Sequence, residues 1–287
     1  MKMRIQVLLA LIGPYSELLC CILWLLLLTG ALLTAFVPQL NRIGSHGKHG
    51  YVSSERSSFF LLSYLQNLQV PKSYFIHLYA VGCVVSVAVI IMDTKVLFFR
   101  NMGNSVTLCL VMWTAHVFRR LVESAWITLY GESKMHVGGY VAGLVHYIAV
   151  PFCISRSRSC QLYLLSGTSE SVLRVILFSL YFTANCYQYQ AHLILYRLKA
   201  SAPSVATRYS LPSSSWFRYV CCPHYSCEIL IYLCLAMMLP CSPSMWLLLA
   251  WVTTNLAVVS DRNLTWYKNK FRDRIPKSWW RICPLIW

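Results

Sequence analysis

The chain is 287 residues long, with 57% apolar and 12% charged residues and a mean hydropathy of +0.55. Soluble domains carry about 25% charged residues, so this composition excludes an ordinary soluble protein and predicts an integral membrane protein. The formal net charge of +16 could suggest a nucleic-acid partner, but the basic residues lie between apolar segments and in the tail. Positive cytoplasmic loops account for that pattern, so no nucleic acid is expected.

The apolar segments predict an all-α, polytopic membrane protein with about seven transmembrane helices, because about 20 apolar residues span a bilayer. Two prolines in the sequence PCSPS end the sixth segment and begin the seventh. The first segment is expected to remain as an anchor rather than to be cleaved, since it is long and lacks a small-x-small cleavage site. The predicted segments are 18–37, 74–92, 105–130, 136–152, 172–195, 229–239 and 245–259.

Seven segments place the two termini on opposite sides of the membrane. With a cytosolic C-terminus, most of the 25 lysines and arginines lie in cytosolic parts of the chain, as the positive-inside rule requires. The chain also has 13 cysteines. Most of them fall inside apolar runs, where a free thiol behaves as a small hydrophobic side chain, so no disulfide framework is expected.

Several polar side chains interrupt the apolar segments. Glu228 is costly in hydrocarbon unless it faces the protein interior or a water-filled cavity, so it marks a candidate functional site. In the fifth segment, Gln188 and His192 share one helix face. Their neighbourhood is polar enough to predict a cavity, although a hydrogen-bonded seam between helices would also account for it.

A charged group also ends the third segment. Arg119 and Glu123 are spaced i, i+4 and are expected to pair, with Arg120 pointing elsewhere; arginines that extend to the membrane surface at a helix end would give the same pattern. The chain has no glycine-rich loop of the G-x-G-x-x-G type after a strand, which excludes a Rossmann nucleotide site. Any nucleotide must therefore bind among the helices.

Five segments of the chain resemble the steroid 5α-reductase family, most of all its polyprenol (polyprenal) reductase branch. The resemblance runs from Val70 to the C-terminus, with order and spacing kept. The C-terminal signature consists of Tyr and Lys, then Phe, then Pro-Lys-Ser. It is specific as a combination, whereas each fragment alone would be a weak signal. The matching segments are VPKSYFIHLY (70–79), HVFRRLVES (116–124), QYQAHLIL (188–195), WFRYVCCPHYSCEILIY (216–232), and WYKNKF with IPKS (266–278).

The resemblance implies a single membrane-embedded reductase domain over residues 1–287, with the catalytic family region at about 116–287. It implies NADPH-dependent reduction of the α-isoprene double bond of a polyprenol or polyprenal, in the dolichol synthesis that supports protein N-glycosylation. The expected location is the endoplasmic reticulum membrane, with several spans and a cytosolic C-terminus. The expected partner is the polyprenoid lipid itself, with no obligate protein partner.

The resemblance also implies roles for individual residues. Hydride addition to a double bond conjugated with a carbonyl moves charge onto the oxygen, which a hydrogen-bond donor can stabilise. His77 is the expected donor, with Tyr79 as the second choice, and Glu228 completes the catalytic set. The expected cofactor-binding residues are Arg119, Arg120, Gln188, His192, Lys199, His224, Tyr225, Tyr267 and Lys268; the two arginines and Lys199 are expected to meet the phosphates as fixed charges.

Three departures from the family pattern leave room for a divergent or weakly active member. His224 replaces an asparagine, Tyr187 replaces a histidine, and Leu264 replaces the histidine that precedes the Tyr–Lys pair. The sequence also leaves open a reductase of steroid enones, a transporter or receptor without a nucleotide, and a metal site. The metal site would use Cys221, Cys222, His224 and Cys227, but adjacent cysteines seldom ligate one tetrahedral ion, so no metal is expected.

Overall fold

A computed structural model describes residues 15–40, 67–92, 105–157, 167–202, 210–276 and 278–284. The described residues form seven helices of 16 residues or more, which confirms the predicted all-α, polytopic architecture. The helices are α1 (Ser16–Phe36), α2 (Phe75–Met92), α3 (Ser105–Val122), α4 (Val137–Arg156), α5 (Gly167–Ala200), α6 (Pro223–Met238) and α7 (Pro243–Phe271).

Within the described residues, five helical stretches are long and apolar enough to cross a membrane, and they contain α1, α2, α3, α4 and α7. Helix α6 is apolar but shorter, and α5 is the longest helix, with 34 residues. Polar residues spread along α5 because it carries one wall of the interior cavity described below. The chain is therefore a multi-pass membrane protein.

Several predicted segment ends differ from the helix ends, and two of the differences bear on the site. The third segment was expected to stay helical to residue 130, but α3 ends at Val122 and a π-helical turn, Glu123–Ile127, follows it. Such turns are rare and often occur at functional sites; here the turn carries a buried carboxylate. The last segment was expected to end at residue 259, but α7 continues to Phe271, because its polar final turns pack on protein, where the Arg262 guanidinium donates to the Thr34 carbonyl oxygen at 2.9 Å.

Close packing of α2, α3 and α4 depends on two glycines. A Cβ on Gly82 would lie 3.0 Å from Val117 and 3.1 Å from Tyr147, and one on Gly143 would lie 2.7 Å from Leu78. Helix α1 packs mainly on α7 and only lightly on α4, while α5 packs on α6. The α1–α4 contact is therefore one of the lighter helix contacts around the cavity.

Two short elements cover the end of the helices where α2 begins and α3 ends. Strands β1 (Gln69–Pro71) and β2 (Lys134–His136) pair antiparallel, with Val70 opposite Met135. A second cover comes from the C-terminal tail, where Val220 and Trp280 form an isolated parallel bridge. Residues in or beside both elements, among them Met135 and Cys221, line the cavity described below.

The cysteines follow the prediction in part. Eleven described cysteines are free thiols, among them the predicted Cys20, Cys21, Cys83, Cys109, Cys186 and Cys234. Cys241, between α6 and α7, is disulfide-bonded. It lies in the turn between two helices and not within an apolar run, so it is not one of the cysteines that the sequence predicted as free thiols.

Candidate active site

A cavity of about 720 Å³ lies inside the helices, within the range of about 300–1,000 Å³ typical of ligand sites. Its wall has two chemically different parts. Polar and cationic side chains from α3, α5, α6 and the end of α7 line one part, and apolar or small side chains from α1, α2, α4 and α7 line the other. A ligand with a polar head and an apolar tail fits this division.

The Glu123 carboxylate, 1% exposed, is the centre of one hydrogen-bond network beside the cavity. The guanidinium groups of Arg119 and Arg120 both donate to it, one to each oxygen. His192 Nδ1 lies 2.6 Å from its Oε2 atom. The predicted Arg119–Glu123 pair is confirmed, but Arg120 does not point elsewhere: it contacts the same carboxylate, because its i, i+3 spacing also places it next to Glu123.

A second network joins α3, α5 and α6 through Gln188, which is 2% exposed. Its amide oxygen accepts from Arg119. Its amide nitrogen donates to the Glu228 carboxylate and, at 3.1 Å, to the His224 carbonyl oxygen. On the other side, His116 Nε2 lies 3.4 Å from Glu228 Oε1. Both the oxygen and the nitrogen of the Gln188 amide have hydrogen-bond partners. The amide therefore holds the Glu228 carboxylate in one orientation at the cavity wall.

Tyr79 lies at the junction of the polar and apolar parts of the cavity. Arg120 donates a hydrogen bond of 2.9 Å to the Tyr79 phenol oxygen, and the guanidinium carbon lies 5.1 Å from the centre of the ring. Because the oxygen already accepts from a cation, the phenol proton is left to donate to something else. A hydrogen bond received from a charged group also strengthens the one that the hydroxyl gives.

Besides Arg120, three cationic residues line the cavity: Lys72, Lys199 and Arg262. Lys72 comes just before α2 and Lys199 lies in the last turn of α5, and this end of the cavity is called its mouth. Lys199 donates to the Leu129 carbonyl oxygen, and Arg262 donates to that of Thr34. Glu228 is the only carboxylate among the described residues that line the cavity. The mouth is therefore suited to an anion.

The cavity brings together most of the predicted site residues. Three predicted residues do not line it: His77, Arg119 and Lys268. His77 is exposed, and its Nδ1 atom lies 3.3 Å from the Tyr140 hydroxyl, because it is two positions from Tyr79 and so occupies another face of α2. The predicted residues that line the cavity are Tyr79, Arg120, Gln188, His192, Lys199, His224, Tyr225, Glu228 and Tyr267.

The three departures from the family pattern lie in different surroundings. His224 lies at the cavity wall, with its ring centroid 4.2 Å from that of Tyr225. Leu264 is 3% exposed and packs in an apolar cluster with Cys221, Cys222, Tyr267 and Trp279. Tyr187 is exposed and does not line the cavity. Leu264, which replaces the family's histidine, is therefore part of an apolar cluster and not of the cavity wall.

Several cavity residues were not predicted. Lys72 and Arg262 entered the sequence analysis only as two of the 25 basic residues, and His146 and Tyr232 were not singled out. Tyr232 lies one helical turn after Glu228, so the i, i+4 spacing could have placed it on the same face. His146 carried no such signal, since a lone histidine in an apolar helix has no pattern that reveals its partners.

Comparison with known proteins finds, over most of the chain, similarity to the family that the sequence motifs resemble. Residues 140–287 match the family described as 3-oxo-5-alpha-steroid 4-dehydrogenase. The chain is 28% identical over 227 residues to a polyprenal reductase of Saccharomyces cerevisiae, covering 78% of each protein. It is also 28% identical over 268 residues to polyprenal reductase 1 of Arabidopsis thaliana, covering 77% of this chain and 83% of the relative.

Proposed function

The chain belongs to the 3-oxo-5-alpha-steroid 4-dehydrogenase family, and from that premise we infer that it is a polyprenal reductase of the membrane. It is an oxidoreductase acting on a carbon–carbon double bond, and it saturates the α-isoprene unit of a polyprenal in dolichol synthesis. The observation that carries this function is the arrangement of the cavity. It has cationic residues at its mouth, the Tyr79 phenol hydrogen-bonded to Arg120, and an apolar part lined by α1 and α4, called the apolar arm.

NADPH is the proposed cofactor, and the polar part of the cavity fits it. Its phosphates need fixed positive charge, which Lys72, Lys199 and Arg262 supply at the mouth. Glu228 and Gln188, locked together deeper in the wall, would bind its amide or ribose groups. Arg119 and Arg120 are committed to Glu123, so in this proposal they position other side chains and do not bind phosphate. When bound, NADPH supplies the hydride.

Tyr79 takes the role of hydrogen-bond donor to the aldehyde oxygen. That oxygen gains negative charge as the β-carbon is reduced, and a preorganised donor stabilises it most at that point. Arg120 orients the phenol and strengthens it as a donor. His77, the donor expected from the sequence, lies outside the cavity, so we assign the role to Tyr79 alone.

The apolar arm is the proposed site of the polyprenoid chain. Leu26, Leu27 and Gly30 of α1 line the cavity together with Gly139 and Ala142 of α4, and we assign these residues to the apolar arm. Small residues on α4 leave width between the two helices, which join only lightly. A long flexible chain can extend through such a join toward the bilayer, whereas a steroid would need a closed and rigid slot.

Gly30→Phe tests this arrangement. A Cβ at Gly30 would meet nothing within 4 Å, so the new ring enters the arm without a clash. We expect KM for a long-chain polyprenal to rise at least about tenfold, since the ring occupies the volume of one isoprene unit, whereas a short-chain enal keeps its KM. Steady-state kinetics with aldehydes of two lengths measure the difference.

Leu33→Phe is the matched control, because Leu33 is exposed on α1 and does not line the cavity. It should leave KM unchanged for both aldehydes. Equal effects of Gly30→Phe on the long and the short aldehyde would contradict the placement of the chain in this arm.

The proposed location is the endoplasmic reticulum, with the cavity mouth and the C-terminus on the cytosolic side. The positive-inside pattern supports this orientation. The disulfide at Cys241 supports it as well, because it lies at the opposite end of the helices, where an oxidising lumen allows disulfides. Protease digestion of a tag after Trp287 in sealed microsomes tests it; a protected tag means the reverse orientation.

A further inference from the structure

A second hydrogen-bonded phenol lies in the cavity, and the role of Tyr79 leaves it unused. The Tyr232 hydroxyl is 2.7 Å from His146 Nε2, and the Trp251 indole nitrogen is 3.3 Å from His146 Nδ1. All three residues line the cavity. They come from α6, α4 and α7, so three separate helices converge on one hydroxyl group.

The chemistry of the indole fixes the direction of both hydrogen bonds. An indole N–H can only donate, so His146 Nδ1 accepts from Trp251. The hydrogen of the neutral imidazole is then on Nε2, which donates to the Tyr232 oxygen. The Tyr232 oxygen therefore accepts from His146, and the Tyr232 phenol proton can donate into the cavity. The phenol proton of Tyr79 is placed in the same way.

The two phenols pack against one stacked pair of rings. Trp113 and Tyr147 are stacked with centroids 5.9 Å apart. Tyr79 packs edge-on against Tyr147 at 5.1 Å, and Tyr232 packs edge-on against Trp113 at 5.7 Å. The cavity thus presents two preorganised phenol protons beside the same aromatic pair, at the level where the polar and apolar parts meet.

We propose that Tyr232 is the acid that protonates the α-carbon of the substrate, with His146 and Trp251 as positioning residues. The inference rests on the proposed reduction of a polyprenal. In that reaction the β-carbon gains a hydride from the reduced nicotinamide, and the electron pair of the double bond moves to give an enolate whose oxygen Tyr79 holds. The enolate then forms a C–H bond at the α-carbon, and the Tyr232 O–H bond breaks.

The proton balance gives His146 its role. Loss of the proton leaves a phenolate on Tyr232, and the Nε2–H of His146 stabilises it by a charge-assisted hydrogen bond. Water that enters after the product leaves restores the phenol proton. His146 stays neutral throughout, because Trp251 occupies its Nδ1 atom. Two donors are needed, since one phenol cannot hold the oxygen and also reach the α-carbon.

Reduction of a polyprenal in D₂O tests the assignment. Unlabelled NADPH delivers protium to the β-carbon, so solvent deuterium marks the α-carbon alone. Borohydride quenching to the alcohol prevents later exchange, and NMR of a chiral ester reads the configuration. The wild-type protein is expected to give a single configuration, because one fixed acid delivers the proton from one face.

Tyr232→Phe is expected to slow turnover at least about 100-fold, the range typical of a lost general acid, and to place deuterium on both faces of the α-carbon. The NADPH dissociation constant, measured by fluorescence, should stay within about twofold, since cofactor binding does not use this phenol. His146→Gln keeps an N–H donor and should keep a single configuration. His146→Leu should lose it.

Tyr181→Phe is the matched control, because the Tyr181 phenol is also buried and donates to the Met112 carbonyl oxygen at 2.5 Å, but it does not line the cavity. This variant should keep one configuration. If the product of Tyr232→Phe carries deuterium in a single configuration at the α-carbon, the proposal is overturned. If that variant does not accumulate in the membrane, a single configuration in the product of His146→Leu overturns the proposal instead. A wild-type protein that leaves the polyprenal unreduced instead overturns the proposed function.

Discussion

Replacing Tyr79 with phenylalanine should lower kcat with a polyprenal by about 10²–10³-fold, the typical effect of losing one donor to a developing oxyanion. The phenol receives a hydrogen bond from Arg120 and faces the cavity, so its proton is the one placed for the aldehyde oxygen. The affinity for NADPH should change little, because the mouth residues bind it. Single-turnover kinetics and cofactor fluorescence separate the two effects.

His77→Ala separates the two donors that the sequence suggested. His77 is exposed and contacts Tyr140 outside the cavity, so its loss should change kcat by less than about threefold. If His77→Ala has the large effect and Tyr79→Phe the small one, the assignment of the donor from the cavity geometry is wrong. Both variants leave the glycine contacts of α2 in place.

Replacing Glu123 with glutamine should destabilise the protein more than any other single change near the cavity. The carboxylate is 1% exposed and receives hydrogen bonds from Arg119 and Arg120. Removing one partner of a buried ion pair costs about 3–5 kcal/mol, because the remaining charge stays buried without compensation. That loss corresponds to a decrease in Tm of roughly 10 °C, measurable by thermal unfolding in detergent.

Glu170→Gln is the matched control, since Glu170 and Arg174 form another i, i+4 pair, at 2.6 Å, on α5. Both side chains of this pair are partly exposed, so it contributes about 0–1 kcal/mol. Equal shifts of Tm in the two variants would contradict the central position of Glu123. Both variants remove the carboxylate of an i, i+4 Glu–Arg pair, but Glu123 is more buried and has more partners than Glu170.

The sequence predicted the architecture because hydrophobicity and length determine it. Segments of about 20 apolar residues and the PCSPS turn were enough for seven helices. Helix ends were harder to predict, since α7 continues through Arg262 and Asn263, polar residues that hydrophobicity alone excludes from a span. They remain helical because their partners are protein atoms, Thr34 O for Arg262 and the Tyr225 hydroxyl for Asn263.

The site was predictable where a residue had a local pattern and not where its role depends on a distant partner. Glu228 stood out as a carboxylate in an apolar helix, and Gln188 with His192 stood out by their spacing. Arg120 was expected to point elsewhere, although its i, i+3 spacing from Glu123 also allows a pair; both arginines in fact contact the one carboxylate. The convergence of α4, α6 and α7 on the Tyr232 hydroxyl has no signal in the sequence.

We propose that this cavity reduces the α-isoprene double bond of a polyprenal with NADPH, and an assay with purified protein checks that claim. Purified protein in detergent is given NADPH with either a polyprenal or a steroid enone, and the products are identified by mass spectrometry. We expect one NADPH to be consumed for each polyprenal that gains two hydrogens, and much slower reduction of the steroid. Rapid reduction of the steroid with an unchanged polyprenal, or no binding of NADPH at all, would contradict the claim.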